Sequence, residues 1–175
     1  TIAAGGADAF YNGKIAEDIV RTVTSATKNP SDMTVADVKG YKAVERPPLC
    51  GAYRGHKICG MGPPSSGAVG VLQSLGTVER FDLRAMGQGS AEAEHLLIEA
   101  GRLALADRAV YLADPDRIPV PTQALIDPAY IKERSALIDP AHRMQTAPAG
   151  KVPVKGAQLI PADSPELPST SHFSI

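Results

Sequence analysis

The chain has 175 residues, a formal net charge of −1 and 43% hydrophobic residues, enough for a domain with a real core. A pI near 6.4 excludes the basic excess of a nucleic-acid surface. A mean hydropathy of −0.09, and no apolar run near the roughly 18 residues a membrane span needs, predict a soluble globular protein without a membrane span.

The opening residues, Thr1-Ile2-Ala3-Ala4-Gly5-Gly6, lack the basic and long apolar parts of a signal peptide, so none is expected in this chain. Ala7 to Tyr11 reads as a short helix ending at Asn12-Gly13. Ile15 to Thr27 follows as an amphipathic helix, with Ile15, Ile19, Val20 and Val23 on one stripe. Asn29-Pro30-Ser31-Asp32 is a turn. Met33 to Gly40 reads as another short helix, with Thr34 as N-cap and Asp37 at its third position.

Residues 43–61 read as a β-hairpin turning at Arg54-Gly55. That turn sets Cys50 opposite Cys59 in a non-hydrogen-bonded pair, where Cα atoms approach to about 4.5 Å, close to disulfide reach. The two cysteines therefore either bridge in an oxidising compartment or stay reduced and half-buried. Without further Cys or His at matching spacing they are not read as a metal site.

Gly60-Met61-Gly62-Pro63-Pro64-Ser65-Ser66-Gly67 precedes a helix from about Ser66 to Val78. A phosphate loop needs Lys then Ser or Thr after the last glycine; here Ala68 and Val69 follow. A nucleophile elbow fails as well, because Pro63 stands where its first glycine belongs. The stretch reads as a proline-stiffened turn with a serine N-cap. Ala91 to Leu112 is the longest helix candidate; Leu96, Ile98, Leu103, Leu105, Ala109 and Leu112 give it a broad apolar surface that predicts burial. Glu92, His95 and Glu99 share one of its faces. A di-iron bundle needs a second Glu-x-x-His and two more Glu, so these three read as a solvated face or a satisfied interface, and no metal is expected. Asp107-Arg108 and Asp114-Pro115-Asp116 read as charge pairing and capping near the helix end. A short helix from about Ala129 to Leu137 closes the periodic part. Prolines, glycines and small residues then dominate from Asp139 to Leu167, a long irregular surface segment.

Ser164 to Pro168 carries two prolines and reads as an exposed connector; Thr170 to Ile175 alternates small and bulky residues like a strand. Thr170 is then either an ordinary first strand residue or the start of a new chain. If the Ser169–Thr170 bond is cut, Thr170 gains an α-amine with a pKa of about 7.7–8.0. One residue then supplies both nucleophile and base.

Thr170-Ser171-His172-Phe173-Ser174 resembles the processing site of the γ-glutamyltransferase (γ-glutamyltranspeptidase) family, where such a segment starts the small subunit. Three further segments match in the family's order: Tyr41 to Pro48 with Tyr53-Arg54-Gly55, then Gly60 to Gly67, then Ala106-Asp107-Arg108 with Tyr111 to Asp116. The resemblance implies a part of a four-layer α/β/β/α sandwich of the N-terminal-nucleophile hydrolases (α/β, or α+β), this part mostly helical with a peripheral hairpin. It implies that residues 1–163 are the C-terminal region of a large subunit, with a long loop at 139–163, and that residues 164–175 hold the processing junction and the first strand of the small subunit.

It also implies an activity. The precursor cuts itself between Ser169 and Thr170, and Thr170 then takes a γ-glutamyl group from glutathione or a similar donor and passes it to water, an amino acid or a peptide, without a cofactor. Ser171 replaces a second hydroxyl residue often found there and receives no role. The implied partners are the donor, the acceptor and the remainder of both subunits; the implied location is periplasmic or extracellular. The chain ends five residues after Thr170, so oxyanion and substrate-binding residues are expected outside it and the isolated chain is expected to be inactive. A cephalosporin or glutaryl acylase of the same superfamily is the main alternative. A capsule-processing relative acting on poly-γ-glutamate and a non-catalytic helical fragment are the others.

Overall fold

The computed structural model describes residues 1–152, so Ser169, Thr170 and the expected strand after them lie outside the described residues. The chain divides into two units, Thr1–Glu45 and Arg46–Ile175.

The first unit holds three helices. Helix α1, Ile2–Tyr11, is broken at Gly6 (φ 59°, ψ −152°), and the expected helix is the part after that kink. Helix α2, Lys14–Thr24, ends three residues before the expected Thr27. Its last turn is rich in hydroxyls that bond back to the backbone, Thr22 to the Asp18 carbonyl and Thr24 to that of Val20, which competes with helix continuation. Asn29 then takes a left-handed conformation (φ 54°) that asparagine tolerates. Helix α3, Val35–Gly40, starts at a full capping box: the Thr34 hydroxyl accepts from the Asp37 N–H, and the Asp37 carboxylate accepts from the Thr34 N–H.

The second unit begins with the hairpin. Strands β1, Leu49–Tyr53, and β2, His56–Gly60, pair antiparallel with Tyr53 opposite His56 and Cys50 opposite Cys59. Both turn residues have positive φ, Arg54 at 48° and Gly55 at 80°, which matches the right-handed strand twist. The ladder is shorter than residues 43–61 because Pro47 and Pro48 lack the N–H that pairing requires.

Five helices follow: α4 Gly67–Val78, α5 Leu83–Met86, α6 Ala91–Tyr111, α7 Thr122–Leu125 and α8 Pro128–Ser135. The single turns α5 and α7 are too short to show periodicity in sequence. α8 starts as its sequence dictates, with Pro128 in the first turn and the Asp127 carboxylate accepting from the Ala129 and Tyr130 N–H groups. α4 is the hub, packing on β1, α6 and α8. Glycines permit two of these approaches: a Cβ on Gly51 would meet Leu72 at 2.8 Å, and one on Gly76 would meet Ile131 at 2.9 Å. One apolar cluster joins Leu49, Ala68, Val69, Leu72, Leu125 and Tyr130; another joins Val78, Phe81, Leu96, Ala100, Leu103 and Ile138. α6 is less apolar-buried than its composition predicts. Leu96 and Leu103 are core, but Ile98 and Leu105 are about 60% exposed, at 59% and 62%.

About half of the described residues are helical, and among them there is one two-stranded antiparallel sheet. Among the described residues no helix is long and apolar enough to cross a membrane.

Candidate functional site

α6 carries the unusual chemistry of the second unit. Two of its acidic side chains, Glu99 and Asp107, are only 2% and 1% exposed. A buried carboxylate is costly unless donors surround it, and both have them.

Glu99 Oε1 accepts from Arg102 at 2.7 Å, and Oε2 accepts from the Met144 N–H at 2.8 Å. Arg102 also donates to the Met144 carbonyl at 2.8 Å. Burial alone would raise the Glu99 pKa. The Met144 N–H and the Arg102 guanidinium outweigh it, and hold the carboxyl below the ordinary glutamate value.

Asp107 sits deeper. Gln73 Nε2 and the Tyr130 hydroxyl donate to Oδ2 at 2.9 and 2.7 Å. The Gly150 N–H donates to Oδ1 at 2.8 Å, and the Arg134 guanidinium lies 3.1 Å from the same oxygen. Burial and the Asp107 acceptor push the Tyr130 hydroxyl far above the usual phenol range, so it stays protonated and donates. Tyr111, at the end of α6, donates to the Gly150 carbonyl at 2.6 Å. Arg134 bridges onward to the Pro148 and Leu103 carbonyls. Two atoms of this network, Gln73 Oε1 and Arg134 Nε, have no partner among the described residues.

The network therefore grips the backbone of residues 144–150, the stretch that leads on toward Ser169 and Thr170. Those two predicted site residues lie outside the described residues. The Cys50–Cys59 bridge is present, with Cα atoms 4.1 Å apart, the close spacing of a non-hydrogen-bonded antiparallel pair. It sits at one wall of an open cleft of about 760 Å³, bounded also by Leu72, Arg80 and Ile131. Two of its charged side chains are engaged by protein groups: Arg80 donates to Ser135, which also lines the cleft, and to the Ile138 carbonyl, and Glu79 accepts from the Arg54 N–H.

Other sequence candidates resolve into structure. Glu99 is a satisfied interface residue, His95 Nε2 donates to the Asp139 carbonyl at 2.9 Å, and Glu92 is exposed, so the three do not converge. No group of three or more His, Cys, Asp or Glu that could hold a metal occurs among the described residues. Ser66 does not cap α4. Its backbone is already helical (φ −84°, ψ −6°), and its hydroxyl accepts from Arg108 at 3.1 Å; Ser65 instead accepts from the Gly67 N–H. Asp116 pairs with Arg46, and Asp114 accepts from the Asp116 N–H.

The sequence reading reached a solvated face or a satisfied interface for Glu99 and charge pairing for Asp107; their partners, and the roles of Tyr130 and Arg134, escape it. The one available signal is an acidic residue at each of two core-facing positions on an apolar helix.

A family model described as gamma-glutamyltranspeptidase matches residues 1–175. The glutathione hydrolase proenzyme of Escherichia coli (strain K12) is 40% identical over 174 residues, covering 99% of this chain and 28% of that protein. The acylase ACY 1 proenzyme of Pseudomonas sp. (strain SE83) is 44% identical over 138 residues, 79% of this chain and 24% of that protein. Among solved structures, Helicobacter pylori gamma-glutamyltranspeptidase superposes with a TM-score of 0.69 at 39% identity, covering 84% of this chain and 42% of that one. The chain thus spans less than a third of the length of these two proenzymes.

Proposed function

The chain belongs to the gamma-glutamyltranspeptidase family, and on that premise we propose that it is part of a precursor that cuts itself between Ser169 and Thr170 and then uses Thr170 to transfer γ-glutamyl groups. In the first step the Thr170 hydroxyl attacks the Ser169 carbonyl carbon. The C–N bond breaks, the Thr170 nitrogen takes the proton, and an ester remains that water hydrolyses. In the second step the freed α-amine, with an ordinary pKa of about 7.7–8.0, accepts the hydroxyl proton as Thr170 attacks a γ-glutamyl amide. The amine half of the donor leaves, and water, an amino acid or a peptide resolves the acyl-enzyme. Glutathione is the donor this reading favours. No step calls for a cofactor.

One observation carries the reading: the likeness to glutathione hydrolase proenzyme takes in 99% of the chain and so includes the junction. The remainder of both subunits is the partner this reading implies, since oxyanion donors are worth about 10²–10³ in rate each. A periplasmic or extracellular location is part of the proposal, supported by a disulfide of the kind that persists in oxidising compartments. The second reading is an acylase, favoured by the 44% identity to acylase ACY 1.

The test is an assay of the purified full-length protein on a γ-glutamyl anilide and a glutaryl amide, beside Thr170→Ala. Turnover of the γ-glutamyl anilide that vanishes in Thr170→Ala is the expected result. Turnover of the glutaryl amide alone transfers the assignment to the acylases, and activity that survives in Thr170→Ala removes Thr170 from the chemistry.

A further inference from the structure

The two sulfurs of the hairpin disulfide are not equivalent. Leu49 and Ile58 belong to the apolar cluster around α4, and Gly51 lies against Leu72. Alternation along the strands sends Cys50, Ala52, Lys57 and Cys59 to the opposite face. On that face Ala52, Lys57 and Cys59 are exposed, while Cys50 is half-buried. Cys59 is thus the open end of the bridge, and the Lys57 ammonium stands two residues away on the same strand and the same face.

A thiolate breaks a disulfide by attacking one sulfur and expelling the other, so access and local charge decide which sulfur is attacked. Both favour Cys59: it is the exposed one, and an incoming anion meets Lys57 beside it. Cys50 is then the leaving sulfur. The hairpin does not depend on the bridge alone. The Arg54 guanidinium donates to the Phe81 carbonyl, Glu79 accepts from the Arg54 N–H, and Leu49 stays in the core. The cysteines are nine residues apart on paired strands, so after opening they stay close and reclose at little cost in chain entropy.

We propose that the Cys50–Cys59 pair is a thiol-exchange site, at which a small thiol is carried as a mixed disulfide on Cys59. The thiolate sulfur bonds to Cys59 Sγ, the Cys50–Cys59 bond breaks, and its electron pair leaves on Cys50 as a thiolate. Cys50 then either attacks Cys59 Sγ, expelling the small thiol and restoring the bridge, or waits. In the second case another small thiol removes the first as a small disulfide. Cys59 is released as a thiol, and two electrons have passed to the protein. The exchange uses neither Thr170 nor γ-glutamyl transfer.

The experiment treats purified full-length protein, wild type beside Thr170→Ala, with reduced glutathione and no denaturant. Acid stops the exchange, free thiols are alkylated, and the peptides are mapped by mass. The expected product in both proteins carries glutathione on Cys59 and the alkyl group on Cys50, on the order of tenfold over the reverse. Lys57→Gln is expected to slow opening by glutathione about two- to threefold, and opening by mercaptoethanol, which bears no charge beyond its thiolate, less. Thermal unfolding of the opened protein stays cooperative. Cys50→Ala, treated with oxidised glutathione, is expected to take up one glutathionyl group on Cys59; if that variant does not fold, the wild-type map decides. A bridge that opens only in denaturant overturns the proposal. So does glutathione shared equally between the cysteines or found mainly on Cys50, and so does opening that unfolds the protein, which marks a purely structural staple. Opening in wild type but not in Thr170→Ala overturns its independence from Thr170.

Discussion

Glu99 shows how a single side chain ties the pH dependence of stability to the path of the chain. Its folded pKa lies below the ordinary value of 4.5 because the Met144 N–H and Arg102 outweigh burial. The folded state thus holds this proton less readily than the unfolded one. The stabilisation is complete above pH 4.5 and is lost as the pH falls through the folded value. Glu99→Gln, followed by urea unfolding from pH 7 to pH 3, is expected to be less stable than wild type at pH 7 and to converge on it at the acid end. A constant gap at every pH contradicts this account. The capping residues Thr34 and Asp37 were legible in the sequence because a cap is local, three residues wide. Glu99 and Asp107 were not, because their partners Met144 and Gly150 lie more than forty residues away.

At the scale of elements, the hairpin is the clearest case. A two-residue turn at Arg54-Gly55 fixes the pairing, so the register that sets Cys50 opposite Cys59 followed from the turn. Its outer limit did not, because Pro47 and Pro48 end the ladder. The hairpin is fastened at its tip, where the Arg54 guanidinium donates to the Phe81 carbonyl at 2.7 Å, and stapled near its base by the disulfide. For cysteines nine residues apart, the chain-entropy account gives a stabilisation of about 2–3 kcal/mol. Cys50→Ala/Cys59→Ala is expected to lose that much in urea unfolding. An unchanged midpoint with no thiol detectable in the denatured wild type would show that the hairpin is dispensable to the unit. α6 was legible as a helix from its length and caps, but its outward residues Ile98 and Leu105 were not separable from its core residues by composition. Apolar residues spread this widely round a helix give no single stripe to read.

For the molecule as a whole, the family, and with it a helix-rich architecture with a peripheral hairpin, was readable from four motifs in one order; the relatives agree, and about half of the described residues are helical. What the motifs left unread is the buried hydrogen-bond network around one of them. Asp107, inside one of those motifs, holds Gly150 ahead of the junction that carries another. The central claim is that Thr170 makes the cut that frees its own α-amine, the base it needs for transfer. The most direct test is the intact mass of the purified full-length protein, wild type beside Thr170→Ala. The account predicts two pieces from wild type, the smaller beginning at Thr170, and one uncut chain from the mutant. If both stay whole while folded, Thr170 is an ordinary residue and the chemistry assigned to it is wrong.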